Sequence, residues 1–365
     1  MPLPPANPAL RLKGRASATN PVGRFEPYAR IPVDDGWDID EDTRLLRTEL
    51  ALERPRSIIT RNRSPDVPFD RSVNPYRGCE HGCIYCFARP SHGYLGLSAG
   101  LDFETRLTAK PEAPALLARE LARKGYRPAP LAIGTNTDPY QPIEAQLRIM
   151  RGLLEVLSEF NHPVAIVTRG ATITRDLDIL ASLASRNLVQ VGVSLTTLNP
   201  GLARQMEPRA PSPARRLAMI RDLAGAGVPT RVMAAPMIPA LTDHELEAIL
   251  AAGHAAGARS AAMILLRLPH EVAPLFRDWL DRHHPGRAAH VLARLHEMRG
   301  GRDNDPRFKT RMTGEGPMAR LLAHRFRLAC RRLGLATDTA ATDTAALECG
   351  RFAPPPKTGD QLSLF

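Results

Sequence analysis

The chain has 365 residues, 43% hydrophobic and 24% charged, a globular balance that excludes wholesale disorder and allows a sizeable core. Its 49 Lys and Arg against 38 Asp and Glu leave a formal charge of +11, carried mostly by arginine, so nucleic acid is a sensible partner and a generic basic surface the plain alternative. No run approaches the ~20 apolar residues of a membrane span, the prolines at 2, 4 and 5 do not read as a signal peptide, and five cysteines make no disulfide framework; the expectation is a cytoplasmic protein without a membrane partner.

Residues 1–70 are rich in proline, arginine and aspartate with weak periodicity, and read as an N-terminal extension. The acidic run at 34–42 lacks the spacing of a calcium loop and reads as a solvated segment. From 71 to 270 short apolar runs alternate with amphipathic stretches. Runs at 72–75, 131–134, 164–168, 188–195, 230–237 and 261–268 predict strands. One helical face carries Leu147, Met150, Leu153, Leu154 and Leu157, a second Leu177, Leu180 and Leu183, and a third Leu217, Ile220 and Leu223. Thr242 with Glu245 predicts a capping box before 246–250, while Gly125 and Gly227 mark helix ends. Six βα units predict an α/β fold, a partial, open six-stranded parallel βα barrel with its chemistry at the carboxyl ends of the strands.

Residues 271–335 predict a basic helical region in which Leu322, Phe326, Ala329 and Leu333 share a face and Gly334 is the stop. The repeat A-T-D-T-A at 336–340 and 341–345 and the prolines at 354–356 predict a flexible linker and tail over 336–365.

The densest chemistry is Cys79-Glu80-His81-Gly82-Cys83-Ile84-Tyr85-Cys86, a C-x3-C-x2-C loop directly after the first predicted strand. Three thiolates on one tight loop suit three corners of an iron–sulfur cube with one iron left open. The competing reading is a Cys3His zinc site that recruits His81 or His92, although zinc sites usually pair two separated C-x2-C arms.

This motif opening a βα-repeat region resembles the radical S-adenosylmethionine (SAM) superfamily. The phrases at 73–79, 137–144 and 236–243 resemble the branch that contains spore photoproduct lyase and DNA repair photolyase-like proteins. The resemblance implies a 4Fe–4S cluster on Cys79, Cys83 and Cys86, reductive cleavage of SAM to a 5′-deoxyadenosyl radical, and an electron donor such as flavodoxin or ferredoxin. It places SAM against Tyr85 on the cysteine loop and against strand-end residues Asn136, Asp138, Thr168, Ser194, Arg204 and Met237. Each of these, taken alone, also reads as an ordinary strand-end or capping residue. In the loop 137–144, Asp138 and Tyr140 read as functional and Glu144 as a helix N-terminal acid. Spore photoproduct lyases use a further barrel cysteine to return a hydrogen atom, and this chain has none between Cys86 and Cys330. The expected substitutes are Cys330, Cys349 or Tyr140. The substrate expected is a nucleic-acid base or lesion in a lyase- or repair-like reaction. The alternatives are radical modification of a protein or small molecule, or a non-enzymatic metal-binding module on nucleic acid. The last five residues, Gln361-Leu362-Ser363-Leu364-Phe365, resemble the pentapeptide by which bacterial DNA-processing proteins dock on the sliding clamp; packing of this tail on its own domain is the alternative.

Overall fold

A computed structural model describes residues 14–25, 47–337 and 347–356. The strands in chain order are β1 (Glu49–Leu52), β2 (Ile59–Arg61), β3 (Arg71–Val73), β4 (Tyr76–Arg77), β5 (Arg106–Ala109), β6 (Leu131–Ile133), β7 (Val164–Thr168), β8 (Val189–Ser194), β9 (Thr230–Met237), β10 (Ser260–Leu265) and β11 (Ala336–Thr337). The α-helices are α1 (Leu101–Thr105), α2 (Ala113–Leu121), α3 (Glu144–Leu147), α4 (Ile149–Glu159), α5 (Leu177–Ser185), α6 (Pro200–Met206), α7 (Pro213–Gly225), α8 (Leu246–Ala255), α9 (Val272–His283), α10 (Pro285–Met298) and α11 (Gly316–Leu333).

Among the described residues the main sheet has the order β11-β10-β9-β8-β7-β6-β3-β2. Neighbours from β3 through β10 pair in parallel, in the order of the chain. Their Val, Ile and Leu side chains are buried because helices cover the sheet, as parallel crossovers require. The sheet is wider than the six strands expected. The antiparallel β2 extends one edge and the parallel β11 the other. A second, three-stranded sheet, β1-β5-β4, stands behind the cysteine loop.

Three expectations are corrected here. The described part of the N-terminal extension is built into the fold: β1 and β2 join the two sheets, and Ala16 and Ser17 are buried with their amides donated to the Glu104 carboxylate at 3.2 and 3.0 Å. At the other end, 336–337 pair with β10, and Phe352 packs against Tyr126, Phe160 and His162 with centroids 5.4, 6.3 and 5.6 Å away. An apolar side chain and an edge strand override the composition of that stretch. The capping box is absent because its partners are engaged elsewhere. The Thr242 hydroxyl accepts from the Ile238 amide at 3.0 Å, and Glu245 accepts from the Thr197 hydroxyl at 2.9 Å.

The helix predicted through Leu147 is divided at Arg148, whose φ of 52° is left-handed. Glu144 then does what was expected of it one helix later. Its carboxylate accepts from the amides of Ile149 and Met150, both at 3.1 Å, and so caps α4. The predicted C-terminal helical region serves two cores. Leu322, Phe326 and Cys330 of α11 pack in the main core, whereas Val272, Phe276 and Trp279 of α9 pack beneath the cysteine loop with Ile84 and Tyr85. The segments 34–42 and 361–365 lie outside the described residues.

Candidate functional site

The loop carrying Cys79, Cys83 and Cys86 leaves β4 and is held by buried groups that the motif itself does not reveal. Arg89, with no solvent exposure, donates to the carbonyls of Gly82 and Cys83, both at 2.9 Å, and of Ala99 and Gly100 at 3.0 and 2.9 Å. Its charge is matched by Glu104 at 2.6 Å. Gln141 donates to the Gly78 carbonyl at 3.2 Å and accepts from the Glu80 amide at 2.8 Å, which ties the loop 137–144 to the cysteine loop. Gly82 has a φ of 65°, and a Cβ there would stand 2.7 Å from a Glu104 carboxylate oxygen, so glycine is required on both counts.

All three thiols border one cavity of about 160 Å³ at the carboxyl end of the parallel strands. Its wall is completed by Tyr85, Asn136, Asp138, Thr168, Arg169, Ser194 and Arg267, with apolar Val167, Met233, Ala235, Pro236 and Leu265. Sequence reasoning placed Tyr85, Asn136, Asp138, Thr168 and Ser194 here, and the structure brings them together.

Asp138 is the hub of the wall. It accepts from the Thr168 hydroxyl at 2.6 Å and the Arg169 amide at 2.8 Å, and faces His81 Nδ1 at 3.4 Å. Burial alone would raise its carboxyl, but His81, Arg169 and the Thr168 hydrogen bond together hold it well below the usual carboxylate range. Arg169 directs a guanidinium nitrogen at Cys83 Sγ and lies over the Tyr85 ring at 5.9 Å, while its buried Nε has no partner. Burial works against this charge, yet the thiol sulfurs and Asp138 raise its pKa. Burial pushes the Cys83 thiol up to about 12, with Arg169 pulling the other way, and lifts Cys79 well above the thiol range with Asp138 adding to the effect. Tyr85 turns its hydroxyl away from the cavity, to Thr196 at 3.1 Å and to Glu207, which is paired with the buried Arg216.

Five expected site residues lie elsewhere. Tyr140 is in the main core, its hydroxyl donated to Asp176 at 3.1 Å. Met237 is fully buried in the same core and its sulfur accepts from the Thr242 hydroxyl at 3.6 Å, so the wall there is supplied by Met233, Ala235 and Pro236. Arg204 borders a separate cavity with Pro200 and Pro208. Cys330 is on the buried face of α11 in the main core, and Cys349 lies in the 347–356 segment with its thiol toward the Leu347 carbonyl. Neither thiol borders the cavity. The residues sequence reasoning passed over are Gln141, Arg89 and Glu104, whereas His81 was weighed only as a zinc ligand; Gln141 lay in the 137–144 phrase, and Glu104 carried no local signal.

The donor set fits an iron–sulfur cluster better than one metal ion. His92 Nε2 hydrogen-bonds the Arg106 carbonyl at 2.9 Å and His81 Nδ1 faces Asp138 at 3.4 Å, so each ring has one nitrogen engaged away from a metal. Among the described residues no three His, Cys, Asp or Glu side chains gather closely enough to hold a single ion. A cube spreads its three cysteines over separate corners, and the unpartnered Nε of Arg169 puts positive charge where three thiolates and a cluster would add negative charge.

Residues 73–252 of this chain match the radical SAM superfamily domain. A protein of Mycobacterium tuberculosis is 41% identical over 221 residues, 60% of this chain and 65% of its own length. One of Methanocaldococcus jannaschii is 24% identical over 173 residues, 47% of this chain and 62% of its own. The chain therefore spans just under two thirds of these relatives. In fold it is similar to spore photoproduct lyase. A mutant of that enzyme superposes with a TM-score of 0.56 at 15% identity, and its complex with dinucleoside spore photoproduct with 0.54 at 15%, each over 79% of this chain and 81% of the other.

Proposed function

We propose that this chain is a radical SAM enzyme that acts on a nucleic-acid base or lesion. The observation that carries the reading is the convergence of three free thiols, Arg169 and the Asp138 hub on one cavity at the strand ends. Cys79, Cys83 and Cys86 are the residues that would hold the cluster. When bound, such a cluster supplies the electron that cleaves SAM to methionine and a 5′-deoxyadenosyl radical.

The chain's own contribution is placement and shielding. Arg169 offsets the negative charge of the thiolates. Ionised Asp138 locks the 134–138 turn to the end of β7 and keeps the wall in one arrangement. Val167, Met233, Ala235 and Leu265 line the cavity with apolar surface and so exclude water from a reactive intermediate. A nucleic-acid substrate is supported by the +11 formal charge and by the dinucleoside spore photoproduct held by the similar lyase. A sliding clamp as partner of 361–365 and a flavodoxin- or ferredoxin-type donor belong to the same reading.

Anaerobically reconstituted full-length protein should carry about four irons with matching sulfide, and should convert SAM to 5′-deoxyadenosine on reduction. Cys79→Ala, Cys83→Ala and Cys86→Ala should each abolish this conversion, while Cys330→Ala and Cys349→Ala retain the cluster. One zinc without sulfide overturns the proposal. Deleting 361–365 should remove clamp binding and leave SAM cleavage intact.

A further inference from the structure

Beyond the end of β10 the cavity wall carries a guanidinium with no ion-pair partner among the described residues. The pairing habit of this chain makes it conspicuous. Partly exposed arginines such as Arg24 and Arg175 meet Glu271 and Glu144 at 2.7 and 2.8 Å, and Arg311 meets Asp66. Arg267 has no hydrogen bond or ion pair with any described residue; its one defined contact is the Phe87 ring, 4.4 Å from the guanidinium carbon to the centroid. Phe87 directly follows Cys86, borders the same cavity, and is 46% exposed, so it is an aromatic side chain presented at the mouth rather than packed inside.

The surroundings increase the positive potential. Arg299, 1% exposed, spends its donors on the carbonyls of Leu265, Leu266, Thr310 and Arg311, at 2.7 to 3.2 Å, and has no carboxylate. Burial, and then Arg267, lower it to about 10. Burial and the neighbouring Arg311 also lower Arg267, with Cys86 and Asp66 acting in the opposite direction. Farther along the 303–312 segment, Phe308 is 55% exposed beneath the Arg311 guanidinium at 4.9 Å. A partly buried cation without an anion is costly unless a ligand brings the missing charge. A guanidinium flat on a ring keeps its N–H edge free for a bidentate anion.

We infer that Arg267 and Phe87 form a substrate subsite at the cavity mouth, which takes a phosphodiester of single-stranded nucleic acid on the Arg267 edge and the adjoining base against Phe87. The inference rests on the proposed nucleic-acid substrate and assigns it to named residues. The required chemistry is an anion next to a planar group, which a nucleotide unit supplies in one piece.

The test is fluorescence anisotropy of a labelled single-stranded oligodeoxynucleotide with the cluster-loaded full-length protein, repeated across salt concentrations. Arg267→Ala should weaken binding about tenfold and flatten the log Kd against log salt slope by about 0.7, the loss of one phosphate contact on a single strand. Arg267→Lys should restore the slope but only part of the affinity, because an ammonium keeps the charge and loses the fork. Phe87→Ala should weaken binding with the slope unchanged. Circular dichroism of each variant excludes unfolding as the cause. An unaltered slope in Arg267→Ala overturns the inference, as does a larger loss of SAM affinity than of oligonucleotide affinity, or binding of an acidic peptide in preference to the oligonucleotide. Wild-type protein that binds the oligonucleotide through Arg267 yet forms no 5′-deoxyadenosine would refute the radical reaction and leave the subsite standing.

Discussion

The polar groups behind the cysteine loop and those on the cavity wall are both buried, but they are partnered differently. Behind the loop Arg89 uses its guanidinium on four backbone carbonyls and Glu104, while the Glu104 carboxylate also receives two amides from the N-terminal segment. Nothing is left over, and the network acts as a rigid backing. On the wall, Arg169 Nε is buried without a hydrogen-bond partner, and Arg267 has no ion-pair partner among the described residues. Unmet polar groups are costly in a core and rare there. An unmet donor on Arg169, whose guanidinium points at a thiol sulfur, teaches that this space is built for a ligand, whereas the satisfied network is built for stability.

The contrast breaks most sharply at Glu104. Glu104→Gln leaves Arg89 charged, buried and without its carboxylate partner, and should cost about 3–5 kcal/mol in chemical denaturation. A variant as stable as wild type would mean the backing network is not what holds the loop.

The sealed His162 offers a pH handle on the same comparison. Its Nε2 meets the Tyr126 hydroxyl at 2.8 Å and its Nδ1 the Pro163 carbonyl at 3.0 Å. Burial lowers its pKa to about 4 from the ordinary 6.5, against the Pro163 hydrogen bond. The folded protein therefore resists a proton that the unfolded chain accepts. Its stability is complete above 6.5, declines as pH falls from 6.5 toward 4, and levels off below, a total of up to about 3 kcal/mol. Urea melts at pH 7.5 and 5 should show this decline in wild type and a smaller one in His162→Asn. An equal decline in both would assign the acid sensitivity to another group.

On the open side, Arg169→Leu should lower 5′-deoxyadenosine formation about 10–100-fold with the fold retained, as expected for a residue that supports metal ligands from behind. Arg169→Lys should recover part of the loss. The smallest effect belongs to the rim of the sealed region. Phe352→Ala removes a half-buried ring from Tyr126, Phe160 and His162 and should cost about 1–2 kcal/mol by thermal unfolding. A larger cost would show that 347–356 is an integral part of the core.

Much of this architecture follows from local pattern. Apolar runs such as 164–168 and 230–237 coincide with β7 and β9, because a strand covered on both faces must be continuously apolar. The three cysteines were legible for a similar reason: ligands on one short loop are close in sequence as well as in space. Asp138 and Thr168 were accessible because parallel strands deliver their carboxyl ends to one edge. What the sequence alone determined is thus what depends on neighbours in the chain. The tertiary structure decided the rest. Tyr140 lies on the loop that follows β6 and Met237 at the end of β9, near residues of the wall, and only packing turns them into the core. Arg89 reaches Glu104 across 15 positions and Glu104 reaches Ser17 across 87. Such contacts arise because a buried charge must find its partner wherever the folded chain brings one within reach, and local pattern carries no record of that distance.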